Sequence, residues 1–175
     1  MSRTSAMSLK VRPGEAIPSI GLRASDGYLL NLRSFVTKQP VALAFFGGPT
    51  MTGAGRRTGH KFIDALVAGH ERLGEAGVAL VGISCDNEVE QREYVKERNL
   101  PFLLFSDERR SAVGILGIPT VNDGENYNVA SPVVLVVDAD GIVRSVIEKP
   151  APEAVIDLVM RAVAEPLPAA STPEP

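Results

Sequence analysis

The segment Val41–Phe46, VALAFF, runs directly into Gly47–Gly55, GGPTMTGAG. A continuous apolar run after Lys38-Gln39-Pro40 fits a strand buried on both faces. The glycines behind it make a loop, and a helical pattern follows from about Arg57 to Glu75. Phe62, Leu66 and Leu73 fall on one side of that helix, with Ile63 and Val67 widening the stripe. Strand, Gly-rich loop and amphipathic helix in this order open a βαβ unit.

The flanks extend the pattern. Gly77–Ser84 (GVALVGIS) reads as a second buried strand ending at Cys85-Asp86-Asn87, and Glu88–Asn99 as a charged surface helix. A third strand is expected over Pro101–Phe105 and a short helix over Asp107–Leu116. Val133–Val137 (VVLVV), the turn Asp138-Ala139-Asp140-Gly141 and a return strand Ile142–Glu148 form a hairpin, and Pro152–Val163 an amphipathic closing helix. Upstream, Gly21–Ser25 and Tyr28–Leu32 flank Asp26-Gly27, a dipeptide suited to a hairpin turn. Parallel strands with right-handed crossovers plus hairpins describe an α/β sandwich with a mixed central sheet.

A length of 175 residues suits one domain. The expected organisation is a flexible start at 1–9, a domain at 10–164 and a disordered tail at 165–175, EPLPAASTPEP. Eighteen basic against 21 acidic residues give a net charge of −3, so no basic excess draws the chain to nucleic acid or an anionic membrane. Met1–Arg12 is polar without the apolar core of a secretory signal, and a cytoplasmic protein is expected. Cys85 is the only cysteine, which excludes an internal disulfide and every Cys-x-x-Cys motif.

Together these pieces resemble the peroxiredoxin (AhpC/TSA, redoxin) branch of the thioredoxin superfamily, from about Gly14 to Val163. The resemblance rests on Pro13–Pro18 with Ala24-Ser25-Asp26-Gly27, on Leu32-Arg33-Ser34-Phe35, and on Gly77–Ser84. Leu100-Pro101-Phe102 with Leu104, Ser106 and Asp107, and Ser131–Asp138 followed by Asp140-Gly141, complete it. It implies a thioredoxin-like, peroxiredoxin-type fold with an N-terminal β-hairpin, and a thiol-peroxidase ancestry. Family chemistry places a thiolate at a helix N-terminus, where the helix dipole and an arginine hold the anion.

The family pattern Pro-x-x-x-Thr-x-x-Cys, laid on the loop, puts Gly48 at the proline, Thr52 at the threonine and Gly55 at the cysteine. Phe62 matches an aromatic residue further along the helix, and Pro132 falls where the family carries an arginine. The resemblance therefore implies a peroxiredoxin-like protein without the peroxidatic cysteine, a pseudoenzyme serving as a binding or assembly module. A homodimer or a protein partner is the expected association, with no cofactor and no metal. The alternative is a thiol-dependent peroxidase using Cys85, which ends its strand on the side where ligands gather. Asp86 beside it would raise the thiol pKa, and a buried small hydrophobe is the plainer role.

Candidate binding residues are Thr52, Gly53, Gly55, Arg56, Arg57 and Pro132. Gly53-Ala54-Gly55 leading into Arg56-Arg57 could hold a small anion at the helix start, or be only a surface loop. Gly48 and Gly53 have phosphate-loop spacing, but Ala54 stands where that motif needs lysine. By the resemblance, Ser131-Pro132 is either a cis-proline facing the site or a trans proline opening a strand. His60 has only Asp64 at ligand spacing and His70 has no such neighbour, so neither makes a metal site.

Overall fold

The computed structural model describes residues 9–123 and 126–165; the expected flexible start through residue 8 and the tail from 166 lie outside them. A hairpin, β1 (Gly21–Ala24) and β2 (Leu29–Asn31), leads through the single turn α1 (Leu32–Phe35) into β3 (Val41–Phe45). The long helix α2 (Gly53–Glu75), β4 (Ala79–Ser84), α3 (Glu88–Arg98), β5 (Leu104–Ser106) and α4 (Ser111–Leu116) follow. A second hairpin, β6 (Thr120–Asp123) with β7 (Asn126–Ala130), precedes a third, β8 (Val133–Val137) with β9 (Val143–Glu148), and α5 (Val155–Ala164) ends the domain.

The main sheet has the order β2-β1-β5-β4-β3-β8-β9. Its centre, β3 beside β4 and β4 beside β5, is parallel, and antiparallel pairs flank it on both sides. This is the mixed α/β sandwich read from the sequence. Because β-strand side chains alternate, VALAFF splits its burial between two layers. Val41, Leu43 and Phe45 enter the layer holding Leu32 and Val36, and Ala112, Val113 and Leu116 of α4. Ala42, Ala44 and Phe46 enter the layer built by Phe62, Ile63, Leu66 and Leu73 of α2, Tyr94 of α3 and Val155 and Val159 of α5.

The β6–β7 hairpin had no expected counterpart, and several boundaries move. The long helix starts at Gly53 rather than Arg57, because Thr52 takes the extended backbone of an N-cap (φ −122°, ψ 164°) and Gly53 turns into the helix at φ +57°. The short fourth helix starts late, at Ser111 rather than Asp107. Asp107 lies ahead of it as an acceptor for the amides of Ala112 and Val113 at 2.9 and 2.8 Å. β5 is displaced to Leu104–Ser106, and α5 follows a turn that occupies the expected first residues. No helix among the described residues is long and apolar enough to cross a membrane.

Candidate functional site

β3 and β4 run parallel with Phe45 opposite Ile83, so the loop after β3 and the segment after β4 emerge side by side. Alternation then sorts the β4 exit. Ser84 and Asp86 turn toward the loop, while Cys85 turns into the layer of α1 and α4.

A buried polar clamp joins the two segments. Asp86 accepts the Thr50 amide at 3.1 Å, the Thr50 hydroxyl, and the Ser84 hydroxyl at 2.6 Å. Gln91 of α3 donates from Nε2 to Ser84 Oγ at 2.9 Å and to the Phe105 carbonyl at 2.9 Å. Burial raises the Asp86 pKa, while the hydrogen bonds from Ser84 and Thr50 act in the opposite direction. Gly48 is what lets the carboxylate in. A Cβ there would stand 1.8 Å from Asp86 Oδ2, and the backbone has φ +83°. Proline fixes φ near −65° and has no access to that conformation.

The next residues of the loop hold a sulfur. Met51 is 6% exposed, and its thioether fills space that side chains at two glycines would otherwise need. A Cβ at Gly47 would lie 1.9 Å from Met51 Sδ, and one at Gly55 would lie 2.7 Å from its Cε. Beside this packing lies a cavity of about 320 Å³ lined by Met51, Gly55, Thr58, Val121, Pro132 and Lys149, among others. The β6–β7 hairpin supplies one wall through Val121 and Ala130.

Of the residues chosen from sequence, Gly55 and Pro132 meet in this cavity, although 77 positions separate them (132 − 55). Thr52, Gly53, Arg56 and Arg57 do not line it, because helical spacing sends positions 55, 58 and 59 to the cavity and 56 and 57 away from it. Arg56 instead donates from Nε to His60 Nε2 at 3.2 Å, and His60 Nδ1 meets the Tyr94 hydroxyl at 2.8 Å. That places the proton of neutral His60 on Nδ1, as donor to Tyr94. Burial first, then Arg98 and Arg56, lowers the His60 pKa. His70 packs against Phe102, with ring centroids 5.9 Å apart. Every peptide bond of the described residues is trans, Ser131–Pro132 included. The backbone there is engaged internally: Ser131 N–H donates to the Pro119 carbonyl and Lys149 N–H to that of Pro132, each at 2.8 Å.

Cys85 does not line the cavity. It is buried, and that burial pushes its thiol up to about 11; Arg110 opposes the rise, Asp107 adds to it, the Ala130 backbone hydrogen bond opposes it, and Asp86 adds least. The carboxylate beside it in sequence is therefore a minor influence, since it faces the loop. Burial therefore favours the thiol over the thiolate at neutral pH. A larger, more polar depression of about 460 Å³ is lined by Leu22, Arg23, Glu88, Asp107 and Arg109. Arg23 and Glu88 pair there at 3.4 Å, and neither Cys85 nor the α2 loop contributes to its wall.

A family model described as the AhpC/TSA family matches residues 13–146, more than half of the chain. The chain belongs to the AhpC/TSA family. Among curated relatives, this AhpC/TSA protein is 33% identical over 110 residues to the chloroplastic peroxiredoxin Q of Populus jackii, covering 63% of this chain and 49% of that one. It is 26% identical over 142 residues to the putative peroxiredoxin bcp of Coxiella burnetii, covering 80% and 89% of the two chains. The chain spans about half the length of several plant relatives that it matches. Among solved structures it superposes on peroxidoxin BcpB of Mycobacterium tuberculosis with a TM-score of 0.73 at 22% identity, covering 87% of this chain and 96% of that one. A cysteine-to-serine variant of PrxQ from Xylella fastidiosa gives a TM-score of 0.73 at 13% identity, covering 89% and 98%. The fold is thioredoxin-like, of the peroxiredoxin type, with its N-terminal hairpin.

Nothing in the sequence marks Met51 and Asp86 as parts of one site. Met51 carried no signal beyond being an apolar residue in a loop. In the sequence Asp86 stands out only as the neighbour of Cys85, whereas its partner Thr50 lies 36 positions away.

Proposed function

We propose that this AhpC/TSA protein keeps the pocket at the start of α2 as a binding site and performs no thiol-peroxidase turnover in it. On this reading it works in the cytoplasm as a binding or assembly module, as a homodimer or with a protein partner. The observation that carries the reading is the crowding at position 55: a Cβ at Gly55 would stand 2.7 Å from Met51 Cε, so a side chain there would require Met51 to move. Thiol-peroxidase turnover needs a sulfur that can ionise to a thiolate, and a thioether cannot. The loop is braced in this form by Asp86, whose carboxylate uses the room that Gly48 leaves.

A second reading makes Cys85 the nucleophile of a thiol-dependent peroxidase. The peroxiredoxin names of the relatives favour it, and so does Arg110, whose charge lowers the Cys85 pKa and whose Nη1 donates to the Cys85 carbonyl at 3.4 Å. Burial is the larger influence and works against it. The deciding experiment is hydroperoxide consumption by the purified chain with excess dithiol, beside Cys85→Ser. Equal rates at the buffer background support the binding module. Consumption that disappears in Cys85→Ser establishes the peroxidase and ends the first reading.

A further inference from the structure

Met51 is among the residues that line the α2 cavity, and the loop holds it in place. Met51 N–H donates to the Gly48 carbonyl at 3.3 Å, and the preceding Thr50 is tied to Asp86 through both its amide and its hydroxyl. On one side the thioether stacks on Gly47, where Sδ stands 1.9 Å from the place a Cβ would take. Gly47 therefore leaves no space for an added atom on that side, and Met51 is also among the residues that line the cavity. The cavity walls near it are apolar, with Val121, Ala130, Pro132 and Pro150.

We propose that Met51 is an oxidation site of this pocket, converted to its sulfoxide by a hydroperoxide that enters the cavity. The inference rests on the reading of the cavity as a retained binding site and is independent of what Cys85 does. In the reaction a sulfur lone pair attacks the terminal peroxide oxygen, so that the S–O bond forms as the O–O bond breaks. The proton on the attacked oxygen passes to the departing alkoxide, which leaves as an alcohol. Sulfur loses two electrons and the peroxide gains them, so the step balances without another reactant. The new oxygen, a strong hydrogen-bond acceptor, points into the apolar cavity. That converts the pocket wall from apolar to polar and weakens an apolar occupant, until a thiol-dependent sulfoxide reductase reverses it.

Met160 provides the internal comparison. It is only partly buried, whereas Met51 is buried, so exposure alone orders their oxidation with Met160 first. The test treats the folded Cys85→Ser chain with tert-butyl hydroperoxide and follows the addition of one oxygen to each methionine peptide by mass spectrometry. The expected result is conversion of Met51 ahead of Met160 by about tenfold, as a held reaction geometry confers, with the ratio collapsing toward one in denaturant. Met51 converting no faster than Met160 in the folded chain would overturn the proposal. Using Cys85→Ser keeps the two ideas apart, because dithiol-driven turnover of the unmutated chain defeats the binding-module reading and leaves the Met51 ratio to be scored separately.

Discussion

Met51 follows β3 and Cys85 follows β4, so neighbouring parallel strands deliver two sulfurs to one end of the sheet. They end in different surroundings. Met51 lines a cavity and is packed by two glycines and a braced loop, but its thioether has no proton to lose. Cys85 can ionise in principle, yet strand alternation turns it into the layer of α1 and α4, where burial holds it protonated. The residue that borders the cavity lacks the acid–base chemistry, and the residue that has the chemistry does not border it. Position in the fold, more than possession of a thiol, sets what each can do.

The largest expected effect tests how far the loop is committed to holding Met51. Gly48→Pro restores the residue of the family pattern, but it needs a φ far from +83° and collides with Asp86. A loss of about 3 kcal/mol or more is expected in denaturant unfolding. Met51→Ala comes next, with a loss of about 2 kcal/mol, the low end for a buried methionine because the site borders a cavity. Met51→Leu should cost less than about 1.5 kcal/mol, because it nearly conserves volume. Asp86→Ala removes the acceptor for Thr50 and Ser84 and leaves buried donors behind, for about 1–3 kcal/mol. Faster exchange of the Thr50 amide, measured by hydrogen–deuterium exchange, would separate loop release from general destabilisation.

The smallest effect is in pH dependence. The folded His60 pKa lies below 6.5, so the unfolded chain binds more protons between the two values. Stability from this group is therefore retained above about pH 6.5 and falls as the pH drops through that value. Asp86 and Asp107 have the reverse sign. Their raised pKa values favour the folded state below 3.8, a contribution lost as the pH rises through the folded values. Unfolding midpoints measured from pH 5 to 8 with and without His60→Gln isolate the first slope, which the substitution should remove.

The fold was legible wherever burial wrote a pattern. VALAFF, GVALVGIS and VVLVV each read as a buried strand, and each forms one at the centre of the sheet. The β6–β7 hairpin escaped although Thr120-Val121-Asn122 and Asn126-Tyr127-Asn128-Val129 alternate polar and apolar residues about Asp123-Gly124, because the runs are short and asparagine is a poor strand former. At the site, Gly55 and Pro132 were found by family pattern, and the structure brings both to one cavity. The Met51 packing and the Asp86 clamp depend on residues distant in sequence meeting in space, so no local spacing announces them. Arg56 and Arg57 read from the sequence either as anion ligands at a helix start or as part of a plain surface loop. The earlier start of α2 places them in its first turns, outside the lining of the cavity.

The most direct test of the contrast between the sulfurs is the pH dependence of Cys85 alkylation by iodoacetamide in the folded chain. The account expects a rate that is negligible at neutral pH and still rising through pH 9, toward a thiol pKa of about 11. A rate that reaches its plateau near or below neutral pH would contradict it, making Cys85 an accessible thiolate and the better candidate for the chemistry of this fold.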